Sequence, residues 1–181
     1  MLYKFNIYLS EQDYLEFNTF WMFKSHYGKK QFMSMRIIVA VILLIIALIS
    51  LFGGGFTLSS FLGIIPTLIL FALFEIFLNP FFKLTIKWQL QAMKKRGKLP
   101  YSPSAVIEFY DNSFTETTDE NKTEVKYSAI ERISIINGKF IYIHTNNIMA
   151  YIIPIYAFES NEQYTGFIDF LKTINNNIDF Y

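Results

Sequence analysis

Between Arg36 and Glu75 the chain carries 38 consecutive residues without a charged side chain, broken near the middle by Gly53, Gly54 and Gly55. At about 1.5 Å per helical residue such a run makes roughly 57 Å of helix, close to two crossings of a ~30 Å hydrocarbon layer. One continuous helix is the competing reading. Against it, three consecutive glycines cost roughly 1 kcal/mol each in a helix interior, and they sit where a tight reversal is needed. The expectation is a transmembrane hairpin with helices at about 31–52 and 56–79 and its turn at Gly53, Gly54 and Gly55. Pro66 falls inside the second helix, where neighbouring groups in a bilayer can satisfy the freed carbonyl. A chain of 181 residues offers too little polar protein to wrap this run as a soluble core.

Basic residues bracket the run. Lys24, Lys29, Lys30 and Arg36 precede it, Lys83, Lys87, Lys94, Lys95, Arg96 and Lys98 follow it, and the turn has none. Cytoplasmic flanks of spanning helices are enriched in Lys and Arg, so both chain ends are expected in the cytoplasm. The first thirty residues hold Glu11, Asp13 and Glu16 and lack an apolar run ending in small residues, so no cleavable signal peptide is expected. The net charge of +1 hides an asymmetry: residues 1–100 hold 11 Lys plus Arg against 4 Asp plus Glu, whereas residues 101–181 hold 5 against 11. The basic half suits a membrane surface. There Lys29, Lys30, Arg36, Lys83, Lys87, Lys94, Lys95 and Arg96 are the candidates for contact with anionic head groups, at about 1 kcal/mol each. The absence of cysteine excludes disulfides, thiol catalysis and cysteine-ligated metal sites.

Four segments follow from periodicity and turn chemistry. In residues 1–30, Tyr3, Phe5 and Ile7 alternate with Lys4, Asn6 and Tyr8 as a half-buried strand does, and a helix from about Glu11 to Tyr27 starts at a Ser10–Asp13 capping box. The aromatic residues of that helix suit either a membrane interface or packing on the C-terminal domain. Residues 31–80 form the hairpin, in which Ser59 and Gly63 offer a small-residue contact. Residues 81–100 hold a basic helix with Lys83, Lys87 and Lys94 on one stripe and Phe82, Ile86, Leu90 and Met93 on another, ending at Gly97 and Pro100. Residues 101–181 read as six strands, at 105–110, 113–118, 122–127, 131–136, 139–145 and 148–153. A final helix follows, capped by Ser160 with Gln163, which buries Tyr164, Phe167, Ile168, Leu171 and Ile174.

The stretches Glu11 to Phe17 (EQDYLEF), Tyr27 to Lys30 (YGKK), Val125 to Ile133 (VKYSAIERI) and Ala150 to Phe158 (AYIIPIYAF), in this order around a helical hairpin, resemble the YcxB-like family of small bacterial membrane proteins. The resemblance implies a multi-pass protein of the bacterial plasma membrane whose C-terminal domain has a pleckstrin-homology-like fold. Such a fold has seven strands and a C-terminal helix. Six strands are counted after residue 100, so the strand near residues 2–8 is expected to join that sheet. The expected class is therefore an α+β membrane protein, a two-helix hairpin plus a cytoplasmic β domain. Many family members have a basic pair after the proline of the last strand. This chain has Ile155 and Tyr156 there, and the loop at Asp111 and Asn112 has no Lys or Arg, so phosphoinositide recognition is not expected.

Catalytic constellations are scarce. His26 and His144 have no sequence signal pairing them with a nucleophile or metal ligands, and no Gly-rich lysine loop is present, so neither an enzyme nor a cofactor is expected. Glu75 is the one ionisable residue singled out within the hairpin. At membrane depth it needs water or a partner, either Lys83 or a basic residue flanking the first helix. The expected role is a non-catalytic adaptor or regulator that binds a protein through residues 101–181 and the bilayer through its basic flanks, with self-association open and no nucleic acid involved. Two other classes stand beside it: self-protection against membrane-active peptides, and a component of an oligomeric channel or transporter.

Overall fold

Strand β1 (Tyr3–Tyr8) lies at the N-terminus, yet every residue of it pairs with a strand from beyond residue 100. It runs antiparallel to β2 (Ser104–Phe109) with Tyr3 opposite Phe109 and Tyr8 opposite Ser104. The N-terminal strand therefore joins the sheet, as the strand count implied by the resemblance led us to expect. The computed structural model describes residues 1–53, 57–97, 99–136, 138–146 and 149–181. It divides into a unit of residues 1–17 with 99–181 and a unit of residues 18–98. The architecture is α+β. The long apolar helices are thus an insertion between the first two strands of a β unit, not a segment lying between serial domains.

In the β unit, the alternation of β2 turns Ala105, Ile107 and Phe109 inward. Strands β3 (Ser113–Thr118) and β4 (Lys122–Lys126) complete a sheet ordered β1-β2-β3-β4. The second sheet holds β5 (Arg132–Ile136), β6 (Phe140–His144) and β7 (Ala150–Pro154), with β8 (Ile178–Phe180) pairing parallel to β5. Pro154, which cannot donate to a ladder, ends an edge strand. Between β5 and β6, Gly138 takes φ +70° and Lys139 N–H donates to Ile136 O at 3.0 Å. The turn residues Asn137 and Asn147, and Ile148 at the start of the sixth expected strand, lie outside the described residues.

A helix, α4 (Asn161–Ile174), packs its Phe167, Ile168 and Leu171 into the core. Ser160 caps it by accepting from Gln163 N–H at 3.2 Å, while the Gln163 side chain reaches one residue further back, to Glu159 N–H, than a strict capping box does. The core centres on rings from three elements: Phe5 stands 4.8 Å from Phe167 and 6.1 Å from Phe109, both near edge-to-face.

The expected strands recur within two residues at each end among the described residues. Strand β8 was not expected. Three residues carry no alternation to read, and its place is set by contacts distant in sequence: Asn177 O accepts from Ile133 N–H, and the Asn175 and Asn177 amides donate to Ile130 O and Glu131 O.

In the second unit the first helix does not run on to Tyr27. Helix α1 (Glu11–Phe23), which begins in the β unit, stops four residues earlier, and α2 (His26–Gly53) starts across a tight corner. Ser25, fully buried, is the α2 cap: its Oγ donates to Trp21 O and accepts from Gly28 N–H at 3.0 Å. A Cβ on Gly28 would stand 1.9 Å from Trp21 O, so only glycine lets the two helices meet there. The aromatic periodicity ran straight through this corner and concealed it.

Helix α3 (Leu58–Lys95) merges the expected second span and the basic helix into one element that continues through Pro66 and Pro80. Beyond Pro80, Phe82 packs on Phe32 of α2 at 5.5 Å, which holds the helix on past the lost hydrogen bond. Contacts Ser50–Gly63, Arg36–Glu75 and Phe32–Phe82 pair the arms in antiparallel register. The small-residue contact thus lies between the two arms, at Gly63. Helix α2 ends at Gly53; the rest of the expected turn, Gly54 and Gly55, lies outside the described residues. Both helices are long and apolar enough to cross a membrane.

Candidate functional site

Each arm of the hairpin carries one ionisable group in its apolar stretch, and the two meet. Arg36 Nη2 lies 3.4 Å from Glu75 Oε2, and the guanidinium stands 5.0 Å from the centre of the Phe32 ring. The register explains the meeting. Arg36 is 17 residues before Gly53 and Glu75 is 17 after Leu58, so both lie about 25 Å along their helices from the hairpin end. Glu75 therefore has the partner anticipated on the first helix's flank, Arg36 and not Lys83. Both side chains remain about one-third exposed, and the Arg36 Nε–H is buried without an acceptor.

The next charges outward form a second level. Lys30 on α2 and Lys83 on α3 stand about 35 and 38 Å from the hairpin end, some 10 Å beyond the ion pair. Between the levels is a layer of rings, Phe23 on Phe32 at 5.1 Å and Phe82 on Phe32 at 5.5 Å. Lys29, Lys30, Lys83, Lys87, Lys94, Lys95 and Arg96 are all exposed. By position along the helices Lys29, Lys30 and Lys83 fall near one level, Lys87, Lys94, Lys95 and Arg96 follow it along the end of α3, and Arg36 is set apart from them, turned toward Glu75. A cationic collar and an inner ion pair can position the hairpin against fixed anions.

Aromatic residues of α1 divide between the units. In the β unit Tyr14 stacks on Tyr101 at 4.9 Å, Phe17 meets Tyr142 at 5.1 Å edge-on, and Glu16 accepts from Lys139 Nζ at 2.9 Å. Ser10 and Asp13 form the reciprocal capping box, and Tyr156, unremarked in the sequence except as a departure, fastens it. Its hydroxyl donates to Tyr8 O at 2.8 Å and stands 3.0 Å from Asp13 Oδ2. Partial burial and that carboxylate push the Tyr156 phenol up to about 12.

His144 is buried in β6, 3.1 Å from Ser134 Oγ, with Nδ1 lacking a partner. Burial, reinforced by Arg132, holds its imidazole down to about 4, so it is neutral at ordinary pH. His26 is exposed at the start of α2. Among the described residues no group of three His, Asp or Glu side chains could hold a metal ion.

No curated protein and no solved structure matches the chain. A family model described as YcxB-like protein matches residues 109–171, which run from the last residue of β2 to Leu171 of α4 and leave out β1 and the hairpin. Over those residues, the greater part of its two sheets and the helix that closes them, the chain is similar to a YcxB-like domain.

Proposed function

We propose that this is a non-catalytic integral membrane protein of the bacterial plasma membrane, in which α2 and α3 span the bilayer and the β unit works in the cytoplasm as a docking domain for a protein partner. The observation that carries the membrane half is the spacing along the hairpin. About 35 Å of helix separates its end from the first lysines in both arms, close to the ~30 Å thickness of hydrocarbon, and the large apolar side chains between are mostly exposed. A core helix of a soluble protein would be covered. On this reading the Arg36–Glu75 pair lies within the hydrocarbon, where an unpartnered charge is expensive and a paired one is tolerated. The basic collar then marks the cytoplasmic side.

The seven strands β1 to β7 in two antiparallel sheets, followed by α4, suit a pleckstrin-homology-like plan, with β8 an addition to it. Lacking a basic pair at Ile155 and Tyr156 and bearing a surplus of acidic residues beyond residue 100, the domain suits a protein ligand better than a phosphoinositide. Because the hairpin is inserted between β1 and β2, both of its ends are fastened to this domain. An adaptor that must hold a partner at the membrane gains from that arrangement.

Crosslinking in native membranes, followed by identification of what copurifies with the tagged chain, tests the adaptor role. The expected result is a discrete protein captured through residues 101–181. Recovery of lipids and further copies of the chain alone would overturn it.

A further inference from the structure

The apolar surface of α3 does not stop where the basic collar begins. Phe77, Phe81, Leu84 and Trp88 follow one another at spacings of four, three and four residues, which places them on one stripe of the helix. All are exposed, at 60%, 55%, 42% and 57%. Leu90, on the opposite side, is fully buried, and Phe82 and Ile86 are half-buried. The last turns of α3 therefore have a covered face and a second apolar face that nothing among the described residues covers. Lys83 and Lys87, both exposed, border that open face on one side.

Length decides what can cover it. From Leu58 to Trp88 the helix rises about 45 Å, beyond the ~30 Å of hydrocarbon but matching the ~40–45 Å of a bilayer with its head-group layers. A tilt of about 20°, usual for spanning helices, brings Trp88 a few Å further in. The stripe continues the lipid-facing surface of the same helix without a break, its aromatic end falls in the zone that Trp favours, and the flanking lysines complement anionic head groups. We infer that Phe81, Leu84 and Trp88 form an interfacial anchor that lies in the inner head-group layer, with Lys83 and Lys87 binding anionic lipid phosphates beside it. The inference rests on the proposed membrane reading. It makes α3 a single element that spans the bilayer and then grips its surface, fixing the depth of the point from which the chain returns to β2.

Trp88 supplies its own probe, because the chain has two tryptophans and Trp21→Phe leaves one. The full chain with that substitution is reconstituted in phosphatidylcholine vesicles, and in vesicles containing phosphatidylglycerol, each with brominated lipids as quenchers. Trp88 should be quenched by bromines placed near the head groups and shielded from acrylamide. The in-to-out ratio should rise in the anionic vesicles by roughly fivefold per lysine, a gain that Lys83→Ala with Lys87→Ala abolishes. Emission open to acrylamide and untouched by bromine in both lipids would overturn the inference, placing the face in water. Shielding from both quenchers would overturn it equally, since a second copy or a protein partner would then be the cover. A separate chain with Trp21→Phe, Trp88→Phe and Leu44→Trp reports on the hairpin itself. Quenching of Leu44→Trp by bromines deep in the acyl chains while Trp88 stays unquenched overturns the anchor alone; no quenching at either position overturns the membrane reading too.

Discussion

The β unit and the hairpin both draw heavily on Ile and Phe, and handle them in opposite ways. In the first sheet of the β unit burial alternates along β1 and β2, so Phe5, Ile107 and Phe109 are buried while their neighbours are not, whereas β6 inside the second sheet is buried throughout. In the hairpin apolar residues run around the whole helix, and Ile37, Ile38, Val41, Ile42 and Leu44 are all exposed. A protein interior rewards the alternating pattern. Uniform hydrophobicity suits helices whose solvent is itself apolar, and there it says nothing about which way each helix is turned. Rotation and register in the hairpin fall instead to the few residues that break uniformity, namely Gly28, Ser50 with Gly63, Arg36 with Glu75, and Phe32 with Phe82.

The largest effect should come from cutting across that division. Removing residues 1–9 takes out β1, with Phe5 and Ile7 from the core and the whole β1–β2 ladder, although the YcxB-like match begins only at residue 109. The expected outcome is loss of cooperative unfolding of the β unit, read by near-ultraviolet circular dichroism; an unchanged thermal midpoint would sink the claim that β1 belongs to it. The single change Phe5→Ala should cost about 3–5 kcal/mol, because the site is walled by Phe109, Phe158 and Phe167 rings that cannot all collapse into the space.

Next comes the corner at Gly28, which tests whether the hairpin unit has any packing as exacting as the β core. Gly28→Ala places a methyl group on the Trp21 carbonyl, and backbone on both sides must move. A destabilisation of about 3 kcal/mol is expected in thermal scans of the full chain in bilayer discs, with Ser25→Ala costing about 1 kcal/mol through the lost cap. Equal, small effects for both would mean that the corner is loose.

How much of this was legible in the sequence follows the same contrast. Where one face is buried, alternation revealed the strands, and the Ser160 and Ser10 caps were readable because the hydroxyl and its partner stand three residues apart. The break at Ser25 was missed because Phe20, Trp21, Phe23 and Tyr27 continue a helical rhythm across it; Ser25 followed three residues on by Gly28 was the overlooked sign. Strand β8 had no signal in itself, being fixed by asparagine bonds to segments some 45 residues away. Of the site, the basic collar could be listed from sequence, since charge is a property of residues. That Glu75 needs a basic partner was legible too, with Lys83 and the flank of the first helix as the candidates; that Arg36 is the one was not, since this depends on the register of the two arms.

The β unit also has its own buried polar point, to be compared with the ion pair of the hairpin. His144 sits neutral against Ser134 with its folded-state affinity for protons lowered to about 4 from an ordinary 6.5. The unfolded chain therefore binds the extra proton between those values. Stability contributed by this site is fully present above pH 6.5 and declines as pH falls toward 4, by up to roughly 3 kcal/mol. Below about 4 the native form protonates too and the loss levels off. His144→Gln, which keeps a donor and acceptor for Ser134 but does not titrate, should flatten the slope of unfolding free energy between pH 4 and 6.5; an unaltered slope would mean that other groups carry it.

The smallest effect expected is the coupling of Arg36 with Glu75, and its size in two solvents bears most directly on the contrast between the units. In water an ion pair at this separation, each side chain about one-third exposed, stabilises by less than about 1 kcal/mol. In detergent that admits water to the pair, a double-mutant cycle of Arg36→Gln and Glu75→Gln should accordingly give a coupling of a few tenths of a kcal/mol. In a bilayer the pair would lie some 10 Å inside the lysine collar, where either single substitution strands a charge away from water, whereas the double substitution strands none. There the two single variants should each be less stable than the double variant, and the coupling should exceed 1 kcal/mol. Equal coupling in both settings would place the pair at a wetted depth. Its role would then be to set the register of the two arms and not to make a buried charge tolerable in lipid.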